Sequence, residues 1–365
     1  LFYVLILAEG ASVGAGSFFM RLIVGGAVAV VFYLARARKA QLNTVVLSML
    51  FILIGYSSFL IIVIRSNTNT PINENDPKDA VSLLSYLNRE QYGTWPVAYG
   101  QYYNSPIASY EDGNPVYIRD DEKGKYVVAD SREGTIPVYD SDFTTIFPRM
   151  WSNQKSIHIR EYKEWGKVEG VPMRHTNLSG EVETIVKPTF GENLRYFFRY
   201  QVGFMYFRYF MWNYSGRQND IQGHGEIEHG NWITGFNSVD AGRLGNQDDL
   251  PPSRKNRAHN KFYLLPLLLG LAGLFFQLNR DYKNTIVVGL LFLLTGIAII
   301  VYLNQYPYQP RERDYAYAGS TYAFAIWIGM GVLALYNLLK KVMNAKISAV
   351  LVTAVTLVLV PGIMA

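Results

Sequence analysis

Cysteine is absent from the chain. That excludes disulfides, iron–sulfur clusters, thiolate nucleophiles and Cys-type zinc sites, and leaves the redox compartment open. Histidine is sparse, five in 365 residues, and no H-E-x-x-H, P-loop, G-x-G-x-x-G or G-x-S-x-G is found. Nucleotide hydrolysis and serine or zinc proteolysis therefore have no support. An excess of one charge is missing too: the net charge of +5 is dispersed along the chain, too weak a field to argue for a nucleic-acid partner. Aromatics are not lacking. At 15% of the residues they give the chain ample surface to bury, which excludes disorder.

What is present is apolar sequence gathered toward both ends around a polar middle, a pattern hidden by the mean hydropathy of +0.06. A bilayer span needs ~20 predominantly apolar residues, within a range of about 17–25. Stretches 18–34, 45–64, 262–278, 285–303 and 318–339 qualify, and 347–363 adds a sixth. Residues 1–8 are apolar but reach only ~12 Å as a helix. Without an initiator Met or a basic n-region they read as the tail of a helix, not a signal peptide, and the chain as a fragment. The only hints of a broken span are Gly25-Gly26 and Gly55.

The expected fold class is a polytopic α-helical membrane protein with a small mixed α/β domain inserted between transmembrane helices. Its parts are transmembrane helices in 1–64, the α/β domain in 65–190, an amphipathic interfacial or shielded helix in 191–213, a juxtamembrane loop in 214–261, and transmembrane helices in 262–365 with the 304–317 loop between them.

Within the middle, Asp76-Pro77 predicts an N-cap and first helical position. Ala80, Leu83, Leu84 and Leu87 follow at helical spacing, with Gly93 to close the helix. The segments 116–119 and 125–129 flank a polar turn and predict a β-hairpin, with 135–139 as a third strand. The stretch 192–212 is long enough to span but carries Arg195, Arg199 and Arg208. Each central arginine costs ~2.5–3.5 kcal/mol on insertion scales, so an interfacial or shielded helix fits better.

If that helix does not cross, Arg36, Arg38, Lys39, Arg280, Lys283, Lys340, Lys341 and Lys346 fall on the inside and the middle domain faces outward. If it crosses, Arg254, Lys255, Arg257 and Lys261 become cytoplasmic and the count is about as good. One conclusion holds in both cases. The stretch 214–261 and the loop 304–317 are separated by two spans, so they lie on the same side.

Three groups of residues can carry chemistry. The loop 216–230 places His224 and His229 with Asp220, Glu226 and Glu228 among glycines. Such a set suits a divalent cation or general acid–base work, or else its charges simply pair with nearby arginines. The loop 305–317 carries Arg311, Glu312, Arg313 and Asp314 in alternating sign at the mouth of two apolar helices. Arginine forks there suit a phosphate and a carboxylate suits an acceptor hydroxyl, while the alternative is a self-neutralising salt-bridge cap. Third, Tyr92, Trp95, Tyr99, Tyr102 and Tyr103 crowd one stretch, fit either for stacking on sugar rings or for ordinary packing.

The segment from Leu83 to Gly93, the run Phe210-Met211-Trp212-Asn213 leading into Gly216-Arg217-Gln218-Asn219-Asp220, and the run from Tyr306 to Ser320 together resemble a known family. It comprises large polytopic bacterial proteins long labelled a domain of unknown function and grouped with protein O-mannosyltransferase-like GT-C glycosyltransferases. The resemblance extends from Val45 to about Leu339. It implies a multi-pass enzyme of the bacterial inner membrane, with its middle domain in the periplasm and a polyprenyl-phosphate-linked sugar donor. The acidic motif that such enzymes carry in their first extracytoplasmic loop has no match in this chain.

On these grounds the expected function is transfer of a sugar from a lipid-phosphate carrier to a protein or envelope-glycan acceptor. Asp220, Glu312 and Asp314 are the catalytic candidates. Arg217, Arg311 and Arg313 are assigned to the lipid phosphate, and Trp95, Tyr102 and Tyr103 to sugar stacking. His224, Glu226 and His229 are assigned to a divalent metal such as magnesium or manganese. The partners are membrane lipid, the donor and the acceptor, with no nucleic acid. A transporter of a lipid-linked saccharide and a non-catalytic envelope scaffold are the rival classes.

Overall fold

A computed structural model describes residue 33 and residues 40–68, 70–120, 122–177 and 179–364. The stretch 1–8, all of 18–34 except Tyr33, including Gly25-Gly26, and Arg36, Arg38, Lys39 and the turn residue Asp121 lie outside the described residues. By packing, the chain forms two units: Leu1–Thr94 with Tyr110–Ile136, and Trp95–Ser109 with Pro137–Ala365. Among the described residues, four helical segments are long and apolar enough to cross a membrane: Leu42–Ser66, Tyr282–Leu303, Asp314–Leu339 and Ala345–Met364.

In the first unit the helix Ala40–Ser66 runs unbroken through Gly55, so that glycine marks no break. The next helix is Ala80–Leu87, and its cap is Asp79, not Asp76. Asp79 Oδ1 accepts the Val81 and Ser82 N–H groups at 3.0 and 2.9 Å, while Ser82 Oγ accepts the Asp79 N–H at 3.1 Å. This reciprocal box satisfies donors that Asp76 is too far away to reach. Asp76 instead adopts a left-handed φ of 36° and pairs with Lys78 at 2.7 Å. Gly93, at φ 73°, closes the following 3-10 turn Glu90–Tyr92. The predicted hairpin is present, Val116–Asp120 against Lys125–Asp130, and Asp120 Oδ1 accepts the Glu122 and Lys123 N–H groups in its turn. The third strand, Ile136–Tyr139, pairs with Ile107–Glu111 rather than with the hairpin.

The second unit is organised around a continuous helix of unusual pitch: α-helical over Phe190–Tyr196, π-helical over Phe197–Phe207 and α-helical again over Arg208–Tyr214. It starts at a Thr189–Glu192 capping box. Tyr196, Tyr200, Met205, Tyr206 and Tyr209 turn into the main hydrophobic core. Its arginines lose no solvation without compensation. Arg195 donates to Gly166 O (3.0 Å) and Lys167 O (3.3 Å), and Arg199 to Trp165 O (3.3 Å). These are carbonyls at the open C-terminal end of the Ser156–Gly166 helix, where a cation is favoured.

The apolar helices depart from the sequence expectation at two places. The 262–278 stretch becomes a helix only at Leu265, because Tyr263 and Leu264 hold left-handed φ values of 52° and 60°. The helix Leu265–Arg280 has 16 residues, about 24 Å at 1.5 Å per residue. The 285–303 stretch is broken into Tyr282–Leu294 and Ile297–Leu303. The break falls at Gly296, where an added Cβ would lie 2.6 Å from the Tyr206 hydroxyl oxygen. Leu265–Arg280 packs against Ala318–Leu339 through glycine: a Cβ on Gly273 would sit 1.7 Å from Trp327 O. That backbone approach is of the kind small residues permit between apolar helices. Trp327 Nε1 donates to Gln277 Oε1 at 2.8 Å across the same interface.

The 304–317 loop is anchored at its start by a set of caps. Arg149, fully buried, donates to Val301 O at 2.9 Å and Val97 O at 2.5 Å. Trp95 Nε1 donates to Tyr302 O at 2.8 Å and Trp151 Nε1 to Asn304 O at 2.9 Å. Three side chains thus take the carbonyls that the end of Ile297–Leu303 leaves open. Desolvation pulls Arg149 down to about 10, so it remains charged near neutral pH and complements the helix end.

Candidate functional site

The loops 214–261 and 304–317 meet. Gln222 Nε2 donates to Gln309 O at 2.5 Å, Gly223 N to Glu312 Oε1 at 3.1 Å, and the His224 ring stacks on Tyr308 with centroids 3.9 Å apart.

At the centre of the contact is an ion pair. Arg208 extends from the 190–214 helix and grips Glu312 with both terminal nitrogens, NH1 to Oε1 at 3.1 Å and NH2 to Oε2 at 2.7 Å. Only 3% of the Arg208 side chain and 16% of the Glu312 side chain are exposed. The Tyr209 hydroxyl also donates to Glu312 Oε2. Burial by itself would raise the Glu312 carboxyl. The Arg208 fork, the Tyr209 hydroxyl and the Gly223 N–H outweigh it and hold the group below its ordinary range. Glu312 is therefore a structural anion held by four donors, and its assignment as a proton acceptor is corrected. Arg208 counts only as an insertion cost in the sequence, and nothing local announces its partner 104 residues away.

The loop below this pair is built by two amides of the 217–220 run. Asn219, fully buried, donates to Glu228 O at 2.9 Å and Arg254 O at 3.1 Å and accepts the Gly230 N–H at 2.8 Å. Gln218, equally buried, donates to Ile227 O at 3.0 Å and Gln247 Oε1 at 2.9 Å. Gly230 sits at φ 57°, and a Cβ there would meet Ile221 O at 2.8 Å. Its carbonyl accepts from Arg208 NH1 at 2.8 Å and Trp212 Nε1 at 3.1 Å. The glycines of 216–230 thus serve close backbone packing.

The remaining candidates divide. Arg217 lies over the Trp212 ring at 3.9 Å and makes no ion pair among the described residues. Desolvation lowers its pKa while Asp220, Asp314 and Glu312 oppose the shift, which puts those three carboxylates in its field. Arg311 is exposed, its guanidinium 5.6 Å above the Tyr315 ring. Arg313 Nε is buried with no hydrogen-bond acceptor. Asp220 accepts from Asn256 Nδ2, whereas Asp314 is exposed and accepts no hydrogen bond among the described residues.

His224, Glu226 and His229 do not converge. The His224 ring is committed to Tyr308, Glu226 Oε2 accepts the His224 backbone N–H at 2.6 Å, and His229 Nε2 is buried without a partner. Among the described residues no three His, Asp or Glu side chains gather to hold a metal ion. As placed, these residues do not fit a cation, and no step below passes through one. The aromatic candidates are packing residues. Tyr102 and Tyr103 are 2% and 5% exposed, Tyr103 stacks on Tyr162 at 5.7 Å, and Trp95 caps a helix.

A family model described as "Family of unknown function (DUF8416)" matches residues 93–198. The matched stretch holds the Ser156–Gly166 helix and the first turns of the 190–214 helix and stops short of Arg208, so the ionic site lies beyond it. No curated protein and no solved structure matches the chain.

Proposed function

We propose that this chain is part of a membrane glycosyltransferase of the GT-C type. It would act on the outer face of the bacterial inner membrane and move a sugar from a polyprenyl phosphate to a protein or envelope-glycan acceptor. The sugar donor enters this reading through the sequence resemblance. The observation that carries it to a site is the set Arg217, Arg311 and Arg313, without ion-pair partners among the described residues, beside the free carboxylate of Asp314, at the head of apolar helices. Guanidinium forks match phosphate oxygens. In the reaction the anomeric carbon–oxygen bond to phosphate breaks and its electron pair leaves with the phosphate, whose charge the arginines stabilise. The acceptor oxygen forms the new bond to that carbon, and its proton passes to Asp314. Of the three carboxylates expected to act, Asp314 alone has no donor holding it among the described residues.

In a bilayer this arrangement constrains the short helix. Because 214–261 and 304–317 touch, the chain between them crosses an even number of times, so Leu265–Arg280 crosses together with Tyr282–Leu303. At about 24 Å against a hydrocarbon core of ~30 Å it thins the bilayer locally.

The test offers labelled polyprenyl-phosphate sugars and extracted envelope acceptors to the full chain purified in detergent, beside an Asp314→Asn variant matched for thermal stability. Transfer by the wild type and its loss in the variant support the reading; transfer that survives Asp314→Asn overturns the role of that residue. A second reading, a transporter of the same lipid, draws on the helix break at Gly296, since discontinuous helices line transport sites. Saturable donor binding without transfer favours it, and neither binding nor transfer favours a scaffold.

A further inference from the structure

The start of the 304–317 loop runs as a strap between two histidines. On one side the His158 ring stacks on Tyr306, with centroids 4.3 Å apart and planes at 25°. On the other the His224 ring stacks on Tyr308 at 3.9 Å and 15°. Hydrogen bonds to the strap's backbone reinforce both grips: Trp151 Nε1 donates to Asn304 O at 2.9 Å and Gln222 Nε2 to Gln309 O at 2.5 Å. Tyr308 is held at φ 60°, a left-handed conformation that a bulky residue keeps only under constraint. Together the strap and the 216–230 loop close a cavity of about 10 Å³, room for about one water. Gln309 and Arg311 line it from the strap side, Gln222 and His224 from the other loop, and Met205 and Tyr209 from the 190–214 helix.

The two jaws of this clasp differ electrically. His158 is 1% exposed and sits in the first turn of the helix Ser156–Gly166, beside Lys155, where the positive helix end disfavours a cation. Its Nδ1 lies 2.9 Å from the neutral Ser152 Oγ, and no carboxylate pairs with it among the described residues. Charged groups on the elements around it are committed elsewhere. Glu161 pairs with Arg160 at 3.1 Å, Arg149 donates to Val301 O and Val97 O, and Glu192 accepts three backbone N–H groups. Arg195 and Arg199 hold carbonyls at the far end of the helix, and the Tyr162 hydroxyl accepts the Ser152 N–H. Burial first, and then Lys155, lower the His158 pKa from its ordinary 6.5. His224, by contrast, stands beside Glu226, which accepts its backbone N–H at 2.6 Å, and Arg311 and Glu312 line the same cavity.

We propose that the strap is an acid-released gate whose pH-sensing jaw is His158: a proton on its ring frees Tyr306, the strap lifts, and the cavity beside Glu312 opens to solvent. A buried cation without a counter-ion is costly, so His158 takes its proton more readily once the strap has lifted and the ring meets water. The closed state is therefore fully favoured above about pH 6.5 and loses ground as pH falls from there toward the lowered value. The left-handed Tyr308 adds strain that lifting relaxes. Gating of access holds whatever ligand uses the site, and so stands apart from the glycosyltransferase reading.

The experiment introduces Met205→Cys, a buried position on the cavity wall, into the otherwise cysteine-free full chain in nanodiscs. Modification by methyl methanethiosulfonate is timed at about pH 7.5 and about pH 5.5, either side of the ordinary histidine range. Each rate is divided by that of the same chain carrying Ser152→Ala with His158→Phe, which keeps a ring on Tyr306 but cannot titrate. The ratio cancels the pH dependence of the thiolate itself, and thermal unfolding of each variant is checked at both pH values. The ratio is expected to rise by about fivefold or more in acid, the lower end of a typical coupling between two sites. Tyr306→Leu, which removes the surface that His158 grips, speeds labelling at both pH values, whereas His224→Phe leaves the acid response in place. A ratio that does not change with pH overturns the gate. An acid response abolished by His224→Phe overturns His158 as the sensor, and slow labelling in Tyr306→Leu overturns the stack as the grip. Hydrogen exchange in the chain without the reporter cysteine gives a second reading at the Gly223 amide, which is bonded to Glu312. Exchange there should quicken in acid beyond the change in intrinsic rate, and a protection independent of pH contradicts the gate.

Discussion

Arg208 NH2 lies 2.7 Å from Glu312 Oε2, joining two residues 104 positions apart in the chain. The pair ties the 190–214 helix to the 304–317 loop, and through Gly223 N to the 216–230 loop as well.

Breaking one side of this pair leaves a buried charge without compensation. Arg208→Ala and Glu312→Gln are each expected to destabilise the chain by about 3–5 kcal/mol, while replacing both with apolar residues of similar volume costs less than either single change. Thermal unfolding in detergent, arranged as a double-mutant cycle, reads the difference; additive losses would contradict the pairing.

The same pair makes stability depend on pH. The folded Glu312 carboxyl lies below its ordinary value of 4.5, so the unfolded chain binds its proton first. The contribution is complete above about 4.5 and is lost as pH falls through the depressed folded value. The Tm of the wild type should therefore drop more steeply below pH 4.5 than that of Glu312→Gln, and parallel curves would remove this residue as the cause.

Asn219→Ala deletes three buried hydrogen bonds and strands the Gly230 N–H and two carbonyls. At about 1–3 kcal/mol for an orphaned buried group, the loop rather than the helices should yield first. Limited proteolysis ought to cut within 216–230 at a rate raised well above wild type, with the helices intact by circular dichroism.

Glycine substitutions distinguish tight from loose helix contacts. Gly273→Ala forces its Cβ onto Trp327 O and should cost about 1–3 kcal/mol from overpacking. Gly329 in the facing helix has nothing within 4 Å of an added Cβ, so Gly329→Ala should be neutral or stabilising by up to ~1 kcal/mol. Equal effects at the two positions would mean that this helix pair does not pack as described.

A chain without cysteine permits a direct test of topology. Single cysteines at Asp249 and Lys341, both exposed, are separated by three apolar helical segments, and under the proposed topology they should react with an impermeant maleimide from opposite sides of the membrane. Labelling from the same side would remove the short helix Leu265–Arg280 as a crossing segment.

Much of the architecture is legible in the sequence because it follows from local rules. Apolar length marks the helices, the polar turn of 120–124 marks its hairpin, and three arginines within 192–212 mark that segment as unsuited to lipid. Counting spans predicts a common side for the 214–261 and 304–317 loops, while their contact is set by the tertiary structure. Harder to read are features set by competition between neighbours. Asp76 and Asp79 are equally good caps by type, and only the reciprocal bond with Ser82 selects Asp79. Gly55 and Gly296 look alike in sequence, but only Gly296 has Tyr206 pressed against it.

The residue types of the site follow the same division. The sequence alone determined that arginines and carboxylates crowd two loops on one side of a set of apolar helices, since periodicity and span counting need no partner information. Which of those charges are spent and which remain free was decided by the tertiary structure. Glu312 is neutralised by an arginine from a distant helix, Trp95 caps a helix end more than two hundred residues away, and, among the described residues, Arg217 makes no ion pair and Asp314 accepts no hydrogen bond. The physical reason is that an ionised group's role depends on the donors and acceptors within about 3 Å of it, and here those come from segments far apart in the chain.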